Sequence, residues 1–186
     1  MKTENEGQSF DVQAFAQAAG IRQQQDALAG FSRLMDETSG LGGARLVHWR
    51  AVGEARPSVG HADQIWLHLT ADVRMPLTCQ RCLEAVDIAL SIDRSFRFAA
   101  DEATAAAEDE LAEDEDVLVL DRAFNLTGLV EDELLMELPL VPRHEVCPTE
   151  VKLELVDPGF DDAQDAKPNP FEVLSGLKVD SSKKGR

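Results

Sequence analysis

Between Ile65 and Cys79 every second residue is apolar: Ile65, Leu67, Leu69, Ala71, Val73, Met75, Leu77 and Cys79. The residues between them are mostly polar (His68, Thr70, Asp72, Arg74, Thr78), with Trp66 and Pro76 as exceptions. Successive side chains of a strand point to opposite faces, so alternation of this length dictates one long strand with one buried face. Pro76 has no N–H to give to a ladder, which places it at an edge or a bulge. The alternation resumes at Val86, Ile88, Leu90 and Ile92, then Phe96 and Phe98, with Arg94 the exception on that face. Two such runs around a short interruption predict an antiparallel hairpin. Its tip is T-C-Q-R-C-L-E, Thr78 to Glu84.

The flanking segments supply further elements. Ala44 to Val52 reads as a strand, and Asp116 to Leu120 as a short one. Asp11 can cap a helix in which Val12, Phe15, Ala16 and Ala19 recur at helical spacing before Gly20. A second short helix holds Leu28, Phe31 and Leu34 or Met35, and S-G-L-G-G, Ser39 to Gly43, reads as a turn. Asn125 offers a cap to a leucine-rich helix whose Leu126, Leu129, Val130, Leu134 and Leu138 share one face, closed by Pro139 and Pro142. Glu131, Asp132, Glu133 and Glu137 fall mainly off that face, which predicts a solvated acidic surface. The fold class is α+β: an antiparallel sheet containing the long hairpin, packed by this amphipathic helix and by short N-terminal helices. Residues 1–44 form a helical segment and 45–147 the α+β core with an acidic loop at 101–116. Residues 148–186 form a polar linker and an amphipathic tail, in which Asn169 caps and Phe171, Leu174 and Leu177 share a face.

Charge narrows the function. The net charge of −17 is uneven: residues 1–100 carry 10 Lys and Arg against 12 Asp and Glu, residues 101–186 carry 8 against 23. Phosphate backbones are drawn to clustered Lys and Arg. A broad RNA-binding face is therefore disfavoured, a local arginine patch in the first half (Arg45, Arg50, Arg56, Arg74, Arg81, Arg94 and Arg97) stays open, and basic proteins are the favoured partners. Asp101 to Asp116 holds nine Asp or Glu and no Lys or Arg, a composition that predicts a mobile, solvated loop. With no run of eighteen apolar residues, a polar start and three cysteines, the expectation is a cytoplasmic chain without membrane span, secretory signal or structural disulfide.

The cysteines pose a choice. Cys79 and Cys82 form C-x-x-C, and His144 and Cys147 form H-x-x-C. Three thiolates and an imidazole are a full tetrahedral set for zinc, and a shared ion would tie the hairpin tip to the segment after the leucine-rich helix. The plainer reading makes Cys79 a small core residue beside Met75 and Leu77, and His144 a solvated loop histidine. Catalysis has less to stand on. A thioredoxin-type pair opens a helix, whereas this one lies between strands. A Cys–His pair using His144, His68 or His48 lacks an identifiable orienting group, and Glu131 to Glu133 lie along an exposed helix rather than in a dry cleft.

Three stretches together carry a resemblance: L-T-C-Q-R-C-L-E (Leu77 to Glu84), L-V-E-D-E-L-L-M-E-L-P-L-V-P-R-H-E-V-C (Leu129 to Cys147) and K-P-N-P-F-E-V-L-S-G-L-K (Lys167 to Lys178). In this order and spacing the chain resembles the YceD family, the large ribosomal RNA subunit accumulation proteins. The resemblance implies a non-enzymatic factor for synthesis, processing or stability of 23S ribosomal RNA, with a metal set that falls on Cys79, Cys82, His144 and Cys147. Joined to the charge, it points to a basic ribosomal protein or large-subunit assembly factor as partner, met by Glu131, Asp132, Glu133 and Glu137. Direct RNA binding through the Arg-bearing, zinc-tipped hairpin is the second reading, and a thiol oxidoreductase the third.

Overall fold

A computed structural model describes residues 10–58, 62–110, 112, 115–150 and 171. The chain divides after Glu150 into two units, and every element below belongs to the first. The C-terminal amphipathic segment and the linker before it lie outside the described residues, Phe171 excepted.

The long hairpin forms the centre of the sheet. β3 (Gln64–Thr78) pairs antiparallel with β4 (Ala85–Ala99), from Ile65 opposite Phe98 to Thr78 opposite Ala85. Ile65, Leu67, Leu69, Ala71, Val73, Met75, Leu77 and Cys79 are all buried, as the alternation requires. β2 (Leu46–Arg56) lines the other side of β3 only as far as Asp72. Pro76 therefore lies where β3 has no second ladder partner, and its missing N–H costs nothing there. The turn before β2 closes over this edge. Gly42 has φ +73°, a Cβ on it would lie 2.8 Å from the Pro76 ring, and Arg45 donates to the Arg74 carbonyl at 3.1 Å.

Two corrections follow at the sheet margins. The segment 1–44 is not wholly helical, because β1 (Ile21–Ala27) pairs antiparallel with β2 and forms the sheet edge. Its sequence, I-R-Q-Q-Q-D-A, has no apolar alternation. Instead its core-side positions are polar and partnered: Asp26 accepts from Trp49 Nε1 at 2.7 Å, and Arg22 lies over the Phe10 and Trp49 rings. At the opposite edge β5 (Asp116–Val119) pairs parallel with β4, the exception in an otherwise antiparallel sheet of order β1-β2-β3-β4-β5.

The acidic stretch 101–116 is likewise not a free loop. Its first half is α3 (Glu102–Asp109), capped by Asp101, which accepts from Thr104 N–H at 2.9 Å. That bond holds the Asp101 carboxyl below its usual range. Alanine-rich composition favours the helix, and Ala105 buries against Ala99 and Val117. Three of its acids find partners on the sheet: Arg97 pairs with Glu108 and, at 3.6 Å, with Glu115, while Asp109 accepts from Val117 N–H at 3.1 Å.

The remaining helices cover one face of the sheet. α1 (Val12–Gln17), capped by Asp11, lies so close to β2 that a Cβ on Gly53 would come within 2.8 Å of the Ala16 backbone. A 3₁₀ turn (Leu28–Gly30) leads into α2 (Ser32–Glu37). α4 (Leu126–Met136), capped by Asn125 at Gly128 N–H, buries Leu126, Val130 and Leu134 in the same cluster as β3 and β4. Those three side chains contribute roughly 6 kcal/mol of gross burial. Among the described residues no helix is long and apolar enough to cross a membrane.

Candidate metal centre

The hairpin tip and the segment after α4 meet. The chain reverses at the tip with Leu83 at φ +63°, while Leu83 N–H donates to the Cys79 carbonyl at 2.9 Å and Cys79 N–H to the Glu84 carbonyl at 2.9 Å. This turn aims both cysteines to one side. After α4, the prolines keep residues 139–142 out of helix, and Gln80 N–H donates to the Pro142 carbonyl at 2.8 Å, fixing the second segment against the first.

Four ligand atoms converge as a result. Those of Cys79, Cys82, His144 and Cys147 all lie within 4.8 Å of one another. The Cys79 and Cys147 sulfurs are 4.0 Å apart, and Cys82 Sγ is 3.4 Å from His144 Nδ1. A tetrahedral zinc with metal–sulfur bonds of about 2.3 Å and metal–nitrogen bonds of about 2.0 Å needs ligand separations of roughly 3.5–3.8 Å. The observed pairs bracket that interval. The imidazole is also set for it: Nε2 lies 3.1 Å from the Ala85 carbonyl, which can only accept, so Nε2 carries the proton and Nδ1 offers its lone pair. The donor set therefore fits a closed, four-coordinate metal site.

The electrostatics lean the same way. Burial alone raises the Cys79 thiol, but the backbone N–H groups of Cys82, His144 and Arg81 and the His144 side chain outweigh it and bring Cys79 down to about 5. Cys82 goes the other way, to about 11, through burial and the neighbouring Cys147 and Cys79 sulfurs. Three crowded sulfurs cannot all ionise without a cation among them. Arg81 supplies part of that charge from outside the cluster, donating from Nε to Cys147 Sγ at 3.0 Å and from Nη2 to the His144 and Glu145 carbonyls at 3.0 and 3.3 Å.

The acidic residues of α4 are placed differently from one another. Glu131 and Glu133 are buried rather than solvated. Glu131 accepts from the N–H groups of Arg33 at 2.8 Å and Leu34 at 3.3 Å, serving α2 as the cap that its own N-terminal residue, Phe31, cannot provide. Glu133 lies 3.8 Å from Arg94, the charged residue on the core face of β4, which also reaches Asp116 at 2.5 Å. Asp132 and Glu137 remain on the outside, Asp132 paired with Arg33.

Three of the hairpin arginines are thus engaged, Arg81 by Cys147 and two carbonyls, Arg94 by Asp116 and Glu133, Arg97 by Glu108 and Glu115, while Arg74 stands exposed on β3. One further constellation escaped the sequence reading. His68 lies 3.1 Å from Ser95 Oγ and 3.3 Å from Asp93 across the β3–β4 ladder. The three residues lie on the face of the sheet opposite α1, α2 and α4, and the Asp93 side chain is 75% exposed, so the imidazole is oriented by a solvated carboxylate.

Comparison with known proteins adds a family. The profile of the large ribosomal RNA subunit accumulation protein YceD matches residues 67–178. The protein of that name from Haemophilus influenzae is 35% identical over 109 residues, which span 57% of this chain and 61% of that relative. The match thus extends over about three-fifths of the relative's length. No solved structure is significantly similar to the chain.

Proposed function

This chain belongs to the YceD family, and on that premise we propose that it is a cytoplasmic, non-enzymatic factor for accumulation of the large-subunit 23S ribosomal RNA that works by binding a basic ribosomal protein or assembly factor. The observation that carries the choice of a protein partner is the state of the arginines. A chain of net charge −17 that spends Arg81, Arg94 and Arg97 on its own sulfurs, carbonyls and carboxylates withholds those three from a phosphate backbone and leaves Arg50 and Arg74 exposed on β2 and β3. It presents a negative field to Lys- and Arg-rich proteins. Asp132 and Glu137 are the members of the α4 acidic set that can contribute to that surface, since Glu131 and Glu133 are used internally.

Cys79, Cys82, His144 and Cys147 are proposed to hold zinc. Bound there, the ion would act as a crosslink, because four protein ligands leave no open position for a substrate or water. The protein's own part is to hold the imidazole tautomer through Ala85, to neutralise excess thiolate charge through Arg81, and to align the two segments through Gln80 and Pro142. A thiol oxidoreductase is disfavoured by the same arrangement, since Cys79 is fully buried.

The test offers immobilised protein purified large-subunit proteins and, separately, 23S ribosomal RNA. Retention of a basic protein that washes off as salt rises is expected. Retention of naked RNA alone, at low micromolar affinity, would overturn the reading in favour of the RNA-binding hairpin.

A further inference from the structure

Soluble domains bury most large apolar side chains, and a cluster of exposed ones marks a place where something docks. Nine large apolar side chains are exposed among the described residues, and five of them belong to the metal-bearing end: Leu83, Met136, Leu140, Val141 and Val146. Leu83 sits in the cysteine turn, Val146 next to Cys147, and Met136 ends α4. Leu140 is 100% exposed, although Pro139 precedes it and the Gln80–Pro142 hydrogen bond ties down the chain two residues further on. Between the turn and this strip runs a groove of about 290 Å³, lined by Leu138, Pro139 and Leu140 and equally by the polar Glu37, Thr78 and Gln80.

The rim of this surface is acidic. Glu37 lines the groove, the exposed Glu84, Glu137 and Glu145 adjoin Leu83, Met136 and Val146 in the chain, and the carbonyl end of α4 adds negative potential. Against them stand Arg143 and Arg81, whose guanidinium is already committed to Cys147 and two carbonyls. A second copy of the chain would bring a like-charged rim against this one, and RNA would bring phosphates; a basic polypeptide complements both the apolar centre and the acidic border.

We propose that the end of the molecule carrying the metal cluster is the docking surface for a basic partner protein, which seats an apolar side chain in the groove beside Leu140 and lays Lys or Arg against Glu37, Glu84 and Glu145. This inference rests on the protein-binding reading above and specifies where that binding occurs. The metal cluster then has a function beyond stapling: it holds Leu83 and Val146, from two distant segments, as one rigid patch.

The experiment places a photo-reactive residue, Leu140→benzoylphenylalanine, in the groove and a control, Gln23→benzoylphenylalanine, on the far edge strand β1, with the protein of purified large subunits and 23S ribosomal RNA as probes. A cross-link from position 140, and not from 23, to a basic subunit protein is expected. Leu140→Asp with Val146→Asp, both exposed and therefore compatible with folding, should reduce retention of that protein at least tenfold, and Glu84→Gln with Glu145→Gln should flatten its salt dependence. Undiminished retention by the Asp variant would sink the docking site while leaving the protein-binding function intact. Failure of the unmodified protein to retain any subunit protein would sink the function as well. A cross-link from 140 to RNA or to a second copy of the chain would show that the occupant is wrongly assigned.

Discussion

The carboxylate of Glu131 accepts the backbone N–H of Arg33 at 2.8 Å, so that one helix caps another from 98 residues away in sequence. Helix starts normally carry their own Ser, Thr, Asp or Asn, but α2 begins after Phe31 and has none. Removing the borrowed cap orphans two amides at once. Glu131→Ala should cost about 2 kcal/mol in urea denaturation, from the lost cap and the unsatisfied N–H groups. The ion pair with half-exposed Arg33 adds little. A loss below about 0.5 kcal/mol, the range of ordinary surface substitutions, would show that the capping bonds are not the stabilising feature.

Glu133 predicts a pH dependence of definite sign. Burial raises its carboxyl above the ordinary value, opposed by Arg94 and supported by the nearby Asp116. A raised folded-state value means that the native protein binds the proton more tightly than the unfolded chain does. Stability therefore falls as pH climbs from the ordinary carboxylate range through the raised value. Glu133→Gln removes this term, so the stability difference between variant and wild type should move in the variant's favour across that window. Parallel denaturation curves at each pH would measure it, and a difference independent of pH would refute the assignment.

The proposed zinc site can be read through one amide. Gln80 N–H bonds the Pro142 carbonyl, which makes its hydrogen exchange a reporter of whether the two segments stay together. Titrating the three thiols with an organomercurial should release close to one zinc per chain into a colorimetric chelator. Exchange at Gln80 should accelerate at the same point, while amides in the middle of β3 stay protected. Cys82→Ser should show the fast exchange without treatment. Zinc release with no change at Gln80 would separate the ion from the junction.

Arg97 holds the acidic segment to the sheet through Glu108 and Glu115, and only about an eighth of its side chain meets water. Arg97→Glu should free α3 and the chain beyond it, seen as new protease cleavage between residues 101 and 116 while the β3–β4 hairpin remains intact. The global cost should be modest, about 1 kcal/mol, because the released carboxylates are readily hydrated. Unchanged cleavage would mean that packing of Ala105 against Ala99 and Val117 secures the helix instead.

The parts of this fold that could be read beforehand are those written in local chemistry. Alternation from Ile65 to Cys79 named the central strand and its buried face, and Asp11 and Asn125 announced their helices because each cap lies three residues from the amide it serves. The two halves of the ligand set were each visible as a spacing, although nothing local joins Cys82 to His144. What stayed hidden depends on distant partners. β1 is polar at every position but its two ends and is a strand because Trp49 meets Asp26 and Arg22 on its core side. α3 looked too charged to order because its counter-charge, Arg97, belongs to another element. Glu131 looked solvent-facing because it borders the apolar stripe of α4, and only α2 turns that border into an interior.

Sixty-two residues separate Cys82 from His144, and that interval is also a delay during synthesis. At elongation rates of about 5–20 residues per second, the hairpin thiols emerge roughly 3–12 seconds before their counterparts. For that time the nascent chain exposes half a binding site, with neither Arg81 supplied with its acceptors nor Leu83 with its neighbours. The proposed docking surface is thus completed only once Cys147 has emerged, and a product truncated before Cys147 should lack it.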